Sequence, residues 1–128
     1  MEGLSKQISN AEIEVAAGSA ANTTYTSYID MHNYDACSFQ IEWTAGGGGG
    51  AVSIVAYGTL QDDGTAAASC TYYDLTNTIY GAASFSADGI MFDSSSRAGH
   101  VRYLKIAATI SNKDASTALY VYSKKKKN

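Results

Sequence analysis

The segment Ala36–Thr44, ACSFQIEWT, alternates without a break: Cys37, Phe39, Ile41 and Trp43 fall on one face, and Ser38, Gln40, Glu42 and Thr44 on the other. A helix would scatter those four apolar side chains around its circumference, whereas a strand lines them up at a period of two. The segment is expected to be a strand with one buried face and one wet face. The same period returns in a strand expected over about His100 to Ser111. There Leu104, Ile106, Ala108 and Ile110 alternate with Tyr103, Lys105, Ala107 and Thr109. In Ser116 to Ser123, Leu119 and Val121 alternate with Tyr120 and Tyr122.

Between these anchors, Ala51–Tyr57, Ser69–Leu75, Thr78–Tyr80, Ala83–Phe85 and Gly89–Asp93 read as further extended pieces, and Glu12–Val15 and Thr24–Met31 precede them. Polar or glycine-rich turns separate them, among them Gln61-Asp62-Asp63-Gly64-Thr65, Asp88-Gly89, Ser94–Gly99 and Asn112-Lys113-Asp114. Asp accepts local backbone N–H groups in such turns, and Gly supplies positive φ. Two hairpins are expected. One joins Ala36–Thr44 to Ala51–Tyr57 through the five glycines Gly46–Gly50, and the other joins the last two strands. No stretch has a helical period. About eight strands with short turns, in a chain whose apolar residues would stay wet on a single open sheet, predict an all-β protein. The expected architecture is a two-sheet antiparallel β-sandwich of jelly-roll type.

Composition agrees. The chain has 128 residues and 13.5 kDa, which is one domain. Ten tyrosines against three phenylalanines, with no proline, suit pleated and half-exposed surfaces. The expected division is a polar N-terminal arm (1–11), the sandwich (12–123) and a basic C-terminal tail (124–128), because Lys124–Lys127 is a run of like charges that repel one another. A net charge of −3 gives no whole-molecule attraction to phosphate, so no specific nucleic-acid partner is expected. Met1–Asn10 lacks the basic and apolar regions of a secretory signal, and no apolar run approaches the roughly 20 residues of a membrane helix. A protein without membrane partners is the expectation.

Catalytic chemistry is not legible. His32 and His100 are the conventional imidazole bases. Asp30, His32 and Asp35 could be drawn as a metal site, but a polar turn has the same composition for conformational reasons. His100 shares a strand face with Arg102, where a surface contact is the better reading. Cys37 and Cys70 read as two buried thiols in strands, too few for a disulfide framework and without zinc-ligand spacing. Gly46–Gly50 precedes a β-run and not the helix that a phosphate loop needs. Asp62-Asp63-Gly64 and Asp88-Gly89 lack the alternating carboxylates of a calcium loop. No catalytic residue, metal or cofactor is assigned. Contact chemistry is richer: Tyr57, Tyr72, Tyr73, Tyr80, Tyr103, Tyr120 and Tyr122 supply aromatic surface on strands.

The C-terminal half, GIMFD, then HVRYLKIAATIS, a short turn and STALYVYSKK, resembles the closing portion of small β-sandwich virion proteins of tailed bacteriophages. Val101–Ile106 and Ala118–Tyr122 occupy the places of that family's last two strands, and FQIEWTAG, Phe39–Gly46, is similar to its early strand. The resemblance runs from Ala36 to Lys124. It implies a non-enzymatic component of a phage particle, above all a capsid decoration or cement protein located in the virion. The implied partners are the major capsid protein or other virion proteins, together with further copies of the chain as a homo-oligomer, a trimer being favoured. Tyr57, Tyr73, Tyr103, Tyr120, Tyr122, Arg102, Lys124 and Lys125 are the candidate contact residues. The alternative is a carbohydrate- or receptor-binding module of a fibre, spike or tail, presenting Tyr57, Trp43 or Tyr73 outward.

Overall fold

The structure, a computed structural model, describes residues 10–75, 83–85, 89–95 and 101–127. The first nine residues of the expected arm, Thr78–Tyr80, Asp88, residues 96–99 of the polar loop, and His100 lie outside the described residues. Nine strands are found there: β1 (Asn10–Val15), β2 (Thr24–Asp30), β3 (Ala36–Thr44), β4 (Ala51–Thr59), β5 (Tyr73–Asp74), β6 (Ala83–Phe85), β7 (Gly89–Ser95), β8 (Tyr103–Ser111) and β9 (Ala118–Lys126). One sheet runs β1-β9-β3-β7. The other runs β2-β8-β4, with the short β5 and β6 both paired to β4.

Every pairing is antiparallel, and the pattern is that of one long folded ribbon. β1 pairs with β9, β2 with β8, β3 with β7, and β4 with the interrupted β5/β6. Winding that ribbon adds the β3–β9 and β4–β8 pairings, which complete the sheets. This is a jelly-roll sandwich. The expected fold class holds, but both expected hairpins do not. β3 and β4 lie in different sheets, as do β8 and β9, so Gly46–Gly50 and the turn around Asn112 are crossovers between layers.

The alternation does what its period demands. Cys37, Phe39, Ile41 and Trp43 of β3 and Leu119 and Val121 of β9 face inward from one sheet, and Leu104, Ile106, Ala108 and Ile110 of β8 and Val52, Ile54 and Ala56 of β4 face them from the other. Burying each large aliphatic side chain contributes about 1.5–3 kcal/mol. Trp43 is only 2% exposed, so the large indole belongs to the core and cannot be presented to a ligand.

A bulge sits on β1. Ala11 pairs with Tyr122 and Ile13 with Val121, which leaves Glu12 as the extra residue. Its carboxylate accepts the hydroxyls of Ser27 on β2 and buried Ser123 on β9, tying the two sheets at their seam.

Two further expectations change. Lys124–Lys126 is not a solvated tail: β9 continues through it, pairing Lys126 with Ala36 and Lys124 with Ser38, and the Asp35 N–H donates to the Lys126 carbonyl. Backbone bonds to β3 outweigh the self-repulsion of exposed ammonium groups, which water screens. Ser69–Leu75 is not a full strand but a 3₁₀ turn, Ala67–Ser69, followed by the two residues of β5. Cys70 therefore stands at the surface end of that turn, half-exposed, while Cys37 is fully buried, and the two form no disulfide.

Candidate functional site

Three places gather the contact residues. The first is the outer face of the β1-β9-β3-β7 sheet. Tyr120 and Tyr122, two apart on β9, hold their rings parallel to within 7° with centroids 6.5 Å apart. Register sets Glu42 and Glu14 on either side of Tyr120, and Gln40 beside Tyr122. The Gln40 amide donates to the Glu42 carboxylate at 2.6 Å. One step on along β9, exposed Lys124 pairs with Ser38. The face thus reads acidic, aromatic, basic along one strand direction.

The second is the outer face of the β2-β8-β4 sheet. Lys105 of β8 places its ammonium 4.7 Å from the Tyr57 ring and 5.4 Å from the Tyr72 ring. Tyr28 of β2 packs on Tyr72 with centroids 5.9 Å apart. The Tyr72 hydroxyl donates to the Ala67 carbonyl at 2.9 Å. Burial, helped by the negative potential of Cys70, Tyr28 and Tyr103, pushes that phenol up to about 12. The connection after β4 is fastened over this face. The Gln61 side chain accepts the Thr71 N–H at 2.9 Å and reaches the Thr65 hydroxyl at 3.2 Å. Tyr73, at 67% exposed, stands apart at the sheet edge.

The third is the end of the sandwich where β2 leaves, β8 begins and β9 stops. Arg102 donates to Asp30 and, through Nε at 2.9 Å, to Asp62, and its guanidinium lies 4.3 Å from the Tyr103 ring centre. The Asp62 hydrogen bond, with Asp30 behind it, raises the Arg102 pKa further. Burial opposes ionisation of Asp30, but the His32 N–H and Arg102 outweigh it and hold the carboxyl below its ordinary 3.8. Lys125 donates to the Asp30 carbonyl at 2.9 Å and sits 4.6 Å from the Tyr34 ring centre. An open cleft of about 530 Å³ lies here, with Met31, His32, Tyr34, Leu60, Arg102 and Lys127 in its walls.

Of the sequence candidates, the structure brings Tyr120, Tyr122 and Lys124 to one face, and Tyr103, Arg102 and Lys125 to the end. Tyr57 joins a cluster the sequence did not announce, with Tyr28, Tyr72 and Lys105. No local signal reveals it, because β2 and β8 meet across more than seventy residues. The Asp30–Asp35 turn shows why it is rich in Asp and Asn: Asp30 accepts the His32 N–H at 2.8 Å, and Asn33 takes a φ of 67°. Among the described residues, no group of three His, Cys, Asp or Glu side chains is placed to hold a metal ion. Among them, too, no helix is long and apolar enough to cross a membrane.

No family model matches the chain, and no curated protein matches it. Among solved structures it is similar to a carbohydrate-binding module described under "CBM4 structure and function". The identity is 5%, the TM-score 0.42, and the match covers 89% of this chain and 73% of the other. It is also similar to a capsid chain of an expanded equine rhinitis A virus particle, at 14% identity and a TM-score of 0.31, covering 91% of this chain and 63% of the other.

Proposed function

We propose that this chain is a non-enzymatic structural protein of a bacteriophage particle, a capsid decoration or cement subunit that adheres to the major capsid protein and associates with copies of itself. One observation carries the reading. The aromatic and cationic side chains stand on broad outer faces of a rigid jelly roll, where Tyr120, Tyr122 and Lys124 form a surface suited to another protein. Tyr contributes contact area at low entropic cost, and a sandwich keeps such a surface stiff. The phage assignment itself comes from the sequence resemblance. Mass spectrometry of purified intact particles tests it: copies of the chain in stoichiometric amounts are expected, and their absence overturns the reading.

A second reading draws on the same face. Two parallel aromatic rings beside a paired amide and carboxylate, Gln40 and Glu42, have the chemistry to stack a sugar ring and bond its hydroxyls. Binding on a glycan array that vanishes in Tyr120→Ala and Tyr122→Ala would favour a carbohydrate-binding module.

A further inference from the structure

We infer that the outer face of the β1-β9-β3-β7 sheet is a two-fold interface between two copies of this chain, with the axis passing near Tyr122. This makes specific the self-association in the reading above, and it stands or falls in solution whether or not the chain occurs in particles.

Register makes this face self-complementary. Same-face residues along a strand recur every ~6.6 Å, so Tyr120 and Lys124 lie one step to either side of Tyr122. A two-fold axis at Tyr122 sets two β9 strands antiparallel, face to face, and lays Lys124 of each copy over Tyr120 of the other. Tyr120 is flanked by Glu42 through the β3 pairing and by Glu14 through the β1 pairing. Each copy therefore offers an ammonium at the level where the other offers two carboxylates, and the two-fold makes this exchange twice. An interface of this symmetry must be self-complementary, and a face acidic at one end, aromatic in the middle and basic at the other meets that condition. The middle has the composition for close contact. Tyr122 and Tyr120 supply half-exposed ring surface, and Ala11, paired with Tyr122, is small. Sheets packed face to face lie roughly 10 Å apart, within reach of a lysine side chain. A neutral sugar would use the rings but has no partner for ends of opposite charge.

Sedimentation equilibrium of the full chain over a range of concentrations is the test. The expected result is a shift from the 13.5 kDa monomer to twice that mass. Lys124→Glu should raise the dimer dissociation constant about tenfold by setting a carboxylate against two others, and Glu14→Lys should raise it by less, since Glu42 still faces the ammonium. Joining them in one chain should recover part of the Lys124→Glu loss, since the new carboxylate then faces one ammonium and Glu42 in place of two carboxylates, and Tyr122→Ala should weaken the dimer at least as much as Glu14→Lys. All three positions lie on the outer face of the sheet, and thermal melts followed by circular dichroism check that the variants fold. Recovery by the charge swap cannot come from a folding defect. A chain that stays monomeric, a trimer, or a dimer indifferent to these changes overturns the inference. A monomer whose glycan binding is lost in Tyr122→Ala does so in favour of the second reading.

Discussion

The carboxylate of Asp114 holds the five-glycine crossover, its Oδ2 accepting the Gly47 N–H at 2.6 Å. The same oxygen accepts the Gly48 N–H at 2.9 Å, and Oδ1 accepts the Ser116 N–H at 2.8 Å. Thr117, fully buried, adds a hydroxyl bond to the Ala45 carbonyl. The two crossovers between the sheets at this end are thus bonded to each other. Gly46 and Gly50 are the two positions of the run where a Cβ has no room, the first against the Asp114 carboxylate and the second against the Ala45 carbonyl.

Gly46 and Gly47 should respond differently to alanine. Gly46 has a φ of 83°, and a Cβ there would fall on the Asp114 carboxylate. Gly46→Ala is expected to cost about 1–3 kcal/mol in urea denaturation. At Gly47 the added methyl would meet Asp114 Oδ2 at an ordinary 3.7 Å, so Gly47→Ala should stay within about 0.5 kcal/mol of the parent. Equal losses at the two positions would contradict this account of the loop.

Acid should loosen this end. The Ser116 N–H, the Gly47 and Gly48 N–H groups and the Thr117 hydroxyl hold the Asp114 carboxyl below its ordinary 3.8, against the opposing effect of burial. A carboxyl more acidic folded than unfolded contributes stability that is fully present above its unfolded value and lost as pH falls through its folded value. Asp114→Asn should therefore be less stable than the parent near neutral pH and lose less on titration from about pH 5 to pH 2. Parallel stability–pH curves for the two proteins would exclude that role.

The two thiols should differ sharply. Burial pushes Cys37 up to about 12, with Glu12 adding to the effect, while Cys70 is half-exposed. A thiol reagent near pH 8 should titrate one group in the native protein and two in denaturant, and Cys70→Ser should abolish the native reaction. Rapid labelling of both native thiols would show the core more open than described.

Arg102 and Leu104 are two residues apart and should differ in cost. Arg102→Ala removes ion pairs to the exposed carboxylates of Asp30 and Asp62, which water screens, and should cost much less than Leu104→Ala. Leu104 has no exposed surface, and Leu104→Ala leaves a cavity between the sheets, costing about 2–5 kcal/mol. Denaturant midpoints of the pair check the ranking.

The strands were legible where alternation was strict. Cys37–Trp43 and Leu104–Ile110 announce their buried faces because the direction of a side chain on a strand depends only on its place in the chain. From that follow the all-β class, the need for two layers, and the assignment of the tyrosines of β9 to the wet side. Partner choice has no such local signature. β3 could have turned back on β4 and β8 on β9, but in either hairpin both strands would have shared one layer. The ribbon instead pairs each strand with a distant one and sends consecutive strands to opposite sheets. The core made by that winding, and not any turn, stabilises the choice, since apolar faces are covered only when the layers close on each other. Two other features came from the same long-range packing. The lysines after Ser123 became strand because β3 offered them backbone partners, and the glycine run became a cradle because Asp114, on the β8–β9 crossover, was brought to it.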